Sequence, residues 1–425
     1  MTGVENTHSL TANQFTELAS GSGSAETVGR LVVAESSIQR ELLAAVGQFG
    51  PQRDRRFAAA WELLTALDVT APDAVATVLA HPYAREWAVG LLNDLQAGTP
   101  ALADAYHLEA LAASAAVHAG LDLRVPVPVR GEVAPLPTFG ALAADGQDRV
   151  WIHAGSMDRF ELAEPLRTMT AGDLTVTLED TDPYRVRPYI DTEIHPADRL
   201  PAKQAGVWRR AFIRAMNFID LHLPGYGEGL RAGLRAVTPL RSDGVHDRSA
   251  SARLAFGAVG IAPRRVEPIS LALLLIHEFQ HVKLGAIMDL FELHDLADTQ
   301  PRYAPPCFAH PRPIEGLFQS TYAHLGICEF WRIHRNLTSG DAHAAGQAHF
   351  ARSRALTLAG IERLLEADSL TSMGRTFVLT MQDSLAPWLA ESVDRDAEAA
   401  ATRAVADQLR REDALADRSG TANAR

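Results

Sequence analysis

Apolar residues recur at three- and four-residue spacing through 28–46, 56–67, 74–96 and 101–119, the period of helices that bury one face. Gly50-Pro51, Ala71-Pro72 and Thr99-Pro100 punctuate them. Gly21-Ser22-Gly23-Ser24, ahead of the first, reads as a short flexible joint. Between Leu121 and Ile194 the period changes to two. The runs 123–130, 149–153 and 174–178 alternate as half-buried strands do. Pro126 and Pro128 put the first run at a sheet edge, because proline has no N–H to give a neighbouring strand. Helical spacing returns at 208–221, followed by a Pro224-Gly225-Tyr226-Gly227 turn, a helix at 229–236, and strand and loop at 238–246.

The run 269–276, ISLALLLI, is apolar on every side except Ser270, which predicts a helix buried in a core. A proline-rich loop over 300–313 leads to two long helices, 314–337 and 341–366, and a last helical pair spans 374–415. The polar tail 417–425 predicts disorder. The fold class is therefore α+β and mostly helical, with a buried helix packed among long C-terminal helices and a small β region. Four successive segments follow from the pattern: helical 1–120, β-rich 121–200, a core region 201–337, and a helical bundle with tail over 338–425.

Composition narrows the function. The 425 residues are 47% hydrophobic, enough for a sizeable core. With 40 basic against 52 acidic side chains the net charge is −12, which argues against general nucleic-acid or anionic-membrane binding. Local basic clusters remain at Arg231/Arg235/Arg241 and Arg264-Arg265. Two cysteines, Cys307 and Cys328, are too few for a disulfide framework and fit a reducing compartment. The first residues have neither the basic nor the apolar stretch of a signal peptide, and no apolar run approaches the ~20 residues of a membrane span. The expected location is cytoplasmic.

The apolar run ends in His277-Glu278-Phe279-Gln280-His281, an H-E-x-x-H pentapeptide. Residues i and i+4 share a helix face, so both imidazoles point to one spot with Glu278 beside them. Such pairs bind Zn²⁺, Fe²⁺ and similar ions. Burying two imidazoles and a carboxylate is costly unless they are paired or hold a metal; the plain alternative is a hydrogen-bonded core cluster. A third protein ligand is needed. The extended metzincin pattern would require glycine at 284 and histidine at 287, and the chain has Leu284 and Ile287. Glu315 and Glu329 are the carboxylates open to a zinc peptidase with Glu278 as general base. His324, inside the apolar stretch 314–331, is the other choice. Asp289 and His294 fit the helix end better than the site. His81, His107, His118, His153 and His195 show no ligand spacing and read as structural or solvated.

Four blocks in order, SASARLAFGAV, HEFQHVKLGAIMDL with Gln280 and Lys283, HPRPIEGLFQSTYAHLG, and FWR, resemble the HExxH-motif family of peptide-modifying enzymes over about 208–332. That family is understood as iron- and 2-oxoglutarate-dependent β-hydroxylases of ribosomally made peptides. One departure is His310, where the family block begins with an acid. The resemblance implies Fe(II), 2-oxoglutarate and O₂ as co-reactants and a precursor peptide as substrate, with no nucleic-acid or membrane partner. It implies His277, His281 and His324 as iron ligands, with Glu278 supporting a ligand. The distal carboxylate of 2-oxoglutarate would then meet a guanidinium, either Arg312 or Arg253 with Ser249 and Ser251, because the planar fork binds carboxylate in two places at once. The edge run 123–130 would be a place for a leader peptide to add as a strand, limited by its prolines. Zinc peptidase and metal-free peptide-binding partner remain the alternatives.

Overall fold

The computed structural model describes residues 9–99, 101–159, 161–189, 194–305 and 311–422. Cys307 and His310 lie outside them. The fold is α+β and mostly helical, with long C-terminal helices and three small sheets among the described residues. The chain divides into two units that do not follow the four sequence segments. One comprises Met1–Leu31, Arg214–Gly233 and Glu267–Arg425, and the other Val32–Ile213 and Leu234–Val266.

In the second unit the predicted helices are present, with breaks that periodicity alone hides. The 74–96 run is two helices, Pro72–Leu79 and Tyr83–Gln96, divided at His81-Pro82, and 101–119 becomes Leu102–Ala105 and His107–His118. The strands are β1 (Arg124–Pro128), β2 (Val133–Leu136), β3 (Gly140–Ala143), β4 (Arg149–His153), β5 (Glu164–Pro165), β6 (Arg167–Ala171), β7 (Leu174–Leu178), β8 (Ala236–Pro239), β9 (Arg248–Ala250) and β10 (Ala258–Ala262). They form a five-stranded sheet in the order β6-β7-β8-β10-β9, a three-stranded sheet β2-β3-β5, and the pair β1-β4. Ala236 is thus a strand residue. The helix before it is Pro224–Gly233, so Pro224-Gly225-Tyr226-Gly227 forms a helical first turn rather than a free turn. Proline at the first helical position costs no hydrogen bond, since that N–H has no partner in the helix anyway.

The prolines of β1 explain why the small sheets stay separate. Val129 N donates to Asp148 O at 3.0 Å and Ala154 N to Leu123 O at 2.9 Å. With the register Val125↔Ile152 and Val127↔Val150, the odd-numbered N–H groups of β1 face β4. Pro126 and Pro128 therefore occupy the opposite edge, where neither has a hydrogen to offer. Pairing towards β2 is limited to the single bridge Arg130↔Val133. The same edge lacks the donors that strand addition by a leader peptide would need at those two positions, which counts against that expectation.

His81 has a structural part in this unit. Buried beside the helix break, its Nε2 is 3.2 Å from Glu179 Oε2 and its Nδ1 3.6 Å from Asp182 Oδ2. Burial alone would lower its pKa, but the hydrogen bond to Glu179 and the two carboxylate charges outweigh burial and raise it above the ordinary value.

In the first unit the Pro268–Leu290 helix carries the pentapeptide. It has Pro268 in its first turn and ends at Phe291, which is extended. Leu271, Ala272, Leu275, Ile276, Leu284 and Ile287 are all buried, as the apolar run ahead of the motif predicts. Each large aliphatic side chain buried in this way contributes about 1.5–3 kcal/mol. It packs on Ile314–His334, which in turn packs on Gly340–Leu365, and the bundle continues with Ser372–Leu389 and Arg395–Ala422.

Two segments differ from what their composition predicts. A helix at Ala12–Ala19 precedes Gly21-Ser22-Gly23-Ser24; its start is a capping box in which Thr11 and Gln14 satisfy each other's backbone N–H groups. The segment after it is not a loose joint, because the Lys283 ammonium donates to Gly21 O and Ser22 O, both at 2.8 Å. The tail also departs from expectation: the last helix runs to Ala422. It is rich in alanine and arginine, which have high helix propensity, and low hydrophobicity alone does not stop such a segment from being helical.

Candidate metal centre

His277, Glu278 and His281 form one compact group, their ligand atoms all within 4.8 Å of one another. His277 Nε2 and His281 Nε2 are 3.2 Å apart, and Glu278 Oε1 is 3.5 Å from His277 Nε2. Helical spacing produces this directly: positions i and i+4 stack on one face, and the residue after His277 flanks it. Two imidazole nitrogens facing each other at 3.2 Å suit a shared proton or a shared cation.

The facing helix Ile314–His334 supplies the surroundings. His324 is buried and its Nδ1 lies 2.9 Å from Ser320 O, one turn earlier. A carbonyl only accepts, so Nδ1 carries the hydrogen and Nε2 keeps its lone pair. The His324 ring centroid is 6.4 Å from that of His277, compared with 4.9 Å between His277 and His281. His324 therefore borders the compact group of three without belonging to it. Burial, then the neighbouring His281 and His324, hold His277 well below its ordinary pKa, in the neutral form a metal needs. Glu278 is 1% exposed. The donor set of two neutral-capable imidazoles and a carboxylate fits a borderline divalent ion such as Zn²⁺ or Fe²⁺.

Sequence reading missed Gln319. Its Oε1 is 2.9 Å from His281 Nδ1 and its Nε2 is 3.9 Å from Met288 Sδ. The available signal was a lone amide amid the apolar 314–331 stretch facing the motif helix.

The back of the motif helix is also polar. Lys283 is 2% exposed and stands 5.7 Å from the centres of the Tyr226 and Tyr322 rings. Burial pushes its pKa down to about 7, against the opposing pull of Glu17 and Glu329. Glu329 accepts from Tyr226 Oη at 3.0 Å and is 3.5 Å from Arg332. It is thus engaged in this second cluster, and the compact group does not include it. His294 is buried, bridges to Leu370, and its Nδ1 lies 3.1 Å from Asp295 O, a structural role.

In comparisons with known proteins the chain matches no family model and no curated protein.

The remaining sequence candidates fall in different places. Arg312 is exposed, bridges to Tyr303 through the backbone, and precedes the His324 helix by two residues. Its side chain runs across Gly316, where an added Cβ would lie 2.6 Å from the Arg312 Cβ. Arg253, exposed, and Ser249 and Ser251, half-buried, belong to the second unit, with Ser249 on β9. Glu315 sits in the first turn of the His324 helix.

Proposed function

We propose that this chain is an iron- and 2-oxoglutarate-dependent hydroxylase acting on the β-carbon of a residue in a ribosomally made peptide. The observation that carries a metal-dependent role is the convergence of His277, Glu278 and His281 within 4.8 Å on a buried helix. The four sequence blocks that resemble the peptide hydroxylases favour iron chemistry within that role. Iron held there with 2-oxoglutarate and O₂ would supply the oxidising power to hydroxylate an unactivated carbon.

The protein's share of the work follows from its own groups. His277 and His281 offer imidazole nitrogens to the ion, and His324 offers Nε2 from the facing helix. Glu278 supports the ligand set, orienting a ligand or a water. Arg312, at the entrance to that helix, is the proposed clamp for the distal carboxylate of the co-substrate.

A zinc peptidase with Glu278 as general base is the second reading; of its two candidate carboxylates, Glu329 is committed to Tyr226 and Arg332, which favours Glu315. A metal-free peptide-binding partner is the third. Metal analysis of protein purified without oxygen separates them. Stoichiometric iron with turnover of 2-oxoglutarate to succinate supports the proposal, tight zinc with peptide cleavage supports the peptidase, and no bound metal supports the binding partner.

Two variants refine the roles. Glu278→Gln is expected to keep its metal and part of its 2-oxoglutarate turnover, since the amide fills the same space and still forms hydrogen bonds. Complete loss of turnover with the metal retained would point to a base, which a neutral amide cannot replace. Arg312→Lys keeps the charge but loses the two-point fork. A charge-assisted bond of about 1.5–3 kcal/mol corresponds to a roughly ten- to hundred-fold rise in the apparent 2-oxoglutarate constant. Anaerobic titration of the Fe(II) protein, followed by its charge-transfer absorption, measures this. An unchanged curve would remove Arg312 as the clamp.

A further inference from the structure

The motif helix and the helix facing it meet at an amide whose orientation has chemical consequences. Gln319 touches two residues of the motif helix: His281 through Oε1, at 2.9 Å from Nδ1, and Met288 through Nε2, at 3.9 Å from Sδ. Met288 lies seven residues after His281, so both present the same helix face. The two ends of an amide are not equivalent. The carbonyl oxygen only accepts and the NH₂ only donates, while a thioether sulfur accepts weakly and has no hydrogen to give. Met288 therefore selects the orientation in which NH₂ faces sulfur and the carbonyl faces His281. A carbonyl facing Nδ1 requires Nδ1 to carry the hydrogen, which leaves the lone pair on Nε2. That nitrogen is the one 3.2 Å from His277 Nε2, inside the compact group. With the amide reversed, NH₂ would donate to Nδ1, and the hydrogen would move to Nε2, where it would block a metal.

We infer that Gln319 is the positioning residue that holds His281 in its ligating tautomer, with Met288 fixing the direction of the Gln319 amide. This rests on the metal reading of the site and adds to it a residue that touches no metal itself. A group that orients a ligating imidazole in this way typically contributes 10- to 100-fold in metal affinity. The carbonyl of Ser320 holds His324 similarly, but a backbone oxygen cannot be removed by substitution, so Gln319 is the testable member of the pair.

The test has two arms on the full-length protein. In the first, Co(II) is titrated into metal-free wild type, Gln319→Leu, Gln319→Asn and Gln319→Glu, and binding is followed by the visible d–d absorption. Gln319→Leu should weaken Co(II) binding roughly 10- to 100-fold. Gln319→Asn should weaken it as well, because its amide is one methylene too short, while Gln319→Glu keeps an acceptor on Nδ1 and should restore binding to near wild type. In the second arm, ¹⁵N–¹H long-range correlation spectra of the metal-free proteins read the His281 tautomer. Wild type should show the hydrogen on Nδ1 alone, and Gln319→Leu a mixture of the two tautomers. Met288→Leu, which leaves Gln319 in place, should show a smaller admixture and serves if Gln319→Leu does not fold. Unchanged Co(II) affinity and an unchanged single tautomer in Gln319→Leu would overturn the inference, as would Nε2–H in wild type. If wild type binds no Co(II), the metal reading fails, and the tautomer arm still decides what Gln319 does.

Discussion

Replacing His277 or His281 with alanine is expected to abolish stoichiometric metal binding while leaving the second unit folded. Each substitution removes one of two nitrogens that face each other at 3.2 Å. The loss should exceed the roughly 10- to 100-fold that follows removal of a group merely supporting a ligand. Metal content after desalting, with circular dichroism to confirm helix content, is the measurement. Either variant retaining one equivalent of metal would remove the central claim about the site. His324→Ala separates the ligand sets: loss comparable to His281→Ala makes His324 a ligand, and full retention leaves the compact group of His277, Glu278 and His281 as the protein's whole contribution.

The second large effect lies in the other unit. His81→Leu leaves Glu179 and Asp182 buried side by side without the imidazolium between them. Removing one partner of a buried charge cluster costs about 3–5 kcal/mol, so urea unfolding at pH 6 should show a loss of that size. The pH dependence has a definite sign. His81 has a raised pKa, so its contribution is complete below its ordinary value of 6.5 and is lost as pH rises through the folded-state value. Glu179 behaves in the opposite way: burial raises it, but the His81 contact and backbone donors outweigh burial and lower it, so its contribution is present above 4.5 and fades as the solution is acidified. The advantage of wild type over His81→Leu should therefore narrow above neutrality. An equal gap at pH 6 and pH 9 would mean that His81 acts by packing and not by charge.

Elements whose period is local were legible in the sequence. β4 and β7 have the bounds that alternation predicts, and the long helices following the loop are where apolar spacing puts them. The apolar run before His277 forms a buried helix because an all-round apolar surface has nowhere else to go. Features set by distant partners were not legible. Gly21-Ser22-Gly23-Ser24 has the composition of a linker, yet its carbonyls are the acceptors for a lysine on the motif helix. His81 looks like one histidine among many until the turn containing Glu179 and Asp182 meets it. At the site, the i, i+4 rule brings His277 and His281 together without further information. The contact between Gln319 and His281 depends on how two helices are set against each other, and spacing within one helix says nothing about that. Glu329 shows the reverse, a plausible ligand by sequence that the fold turns towards Tyr226.

The anchoring of Lys283 has a consequence for the order in which the molecule is built. Its acceptors, Gly21 O and Ser22 O, precede it by 262 and 261 residues. At about 5–20 residues per second of synthesis, those two carbonyls wait roughly 13–52 s for the ammonium that will bind them. All of the chain belonging to the other unit, which ends at Val266, is made before Lys283 exists. The N-terminal segment is thus the first part of its unit to leave the ribosome and must await its partners on the motif helix. The lysine behind the histidines finds its acceptors only when a segment made 261 to 262 residues earlier returns to meet the motif helix.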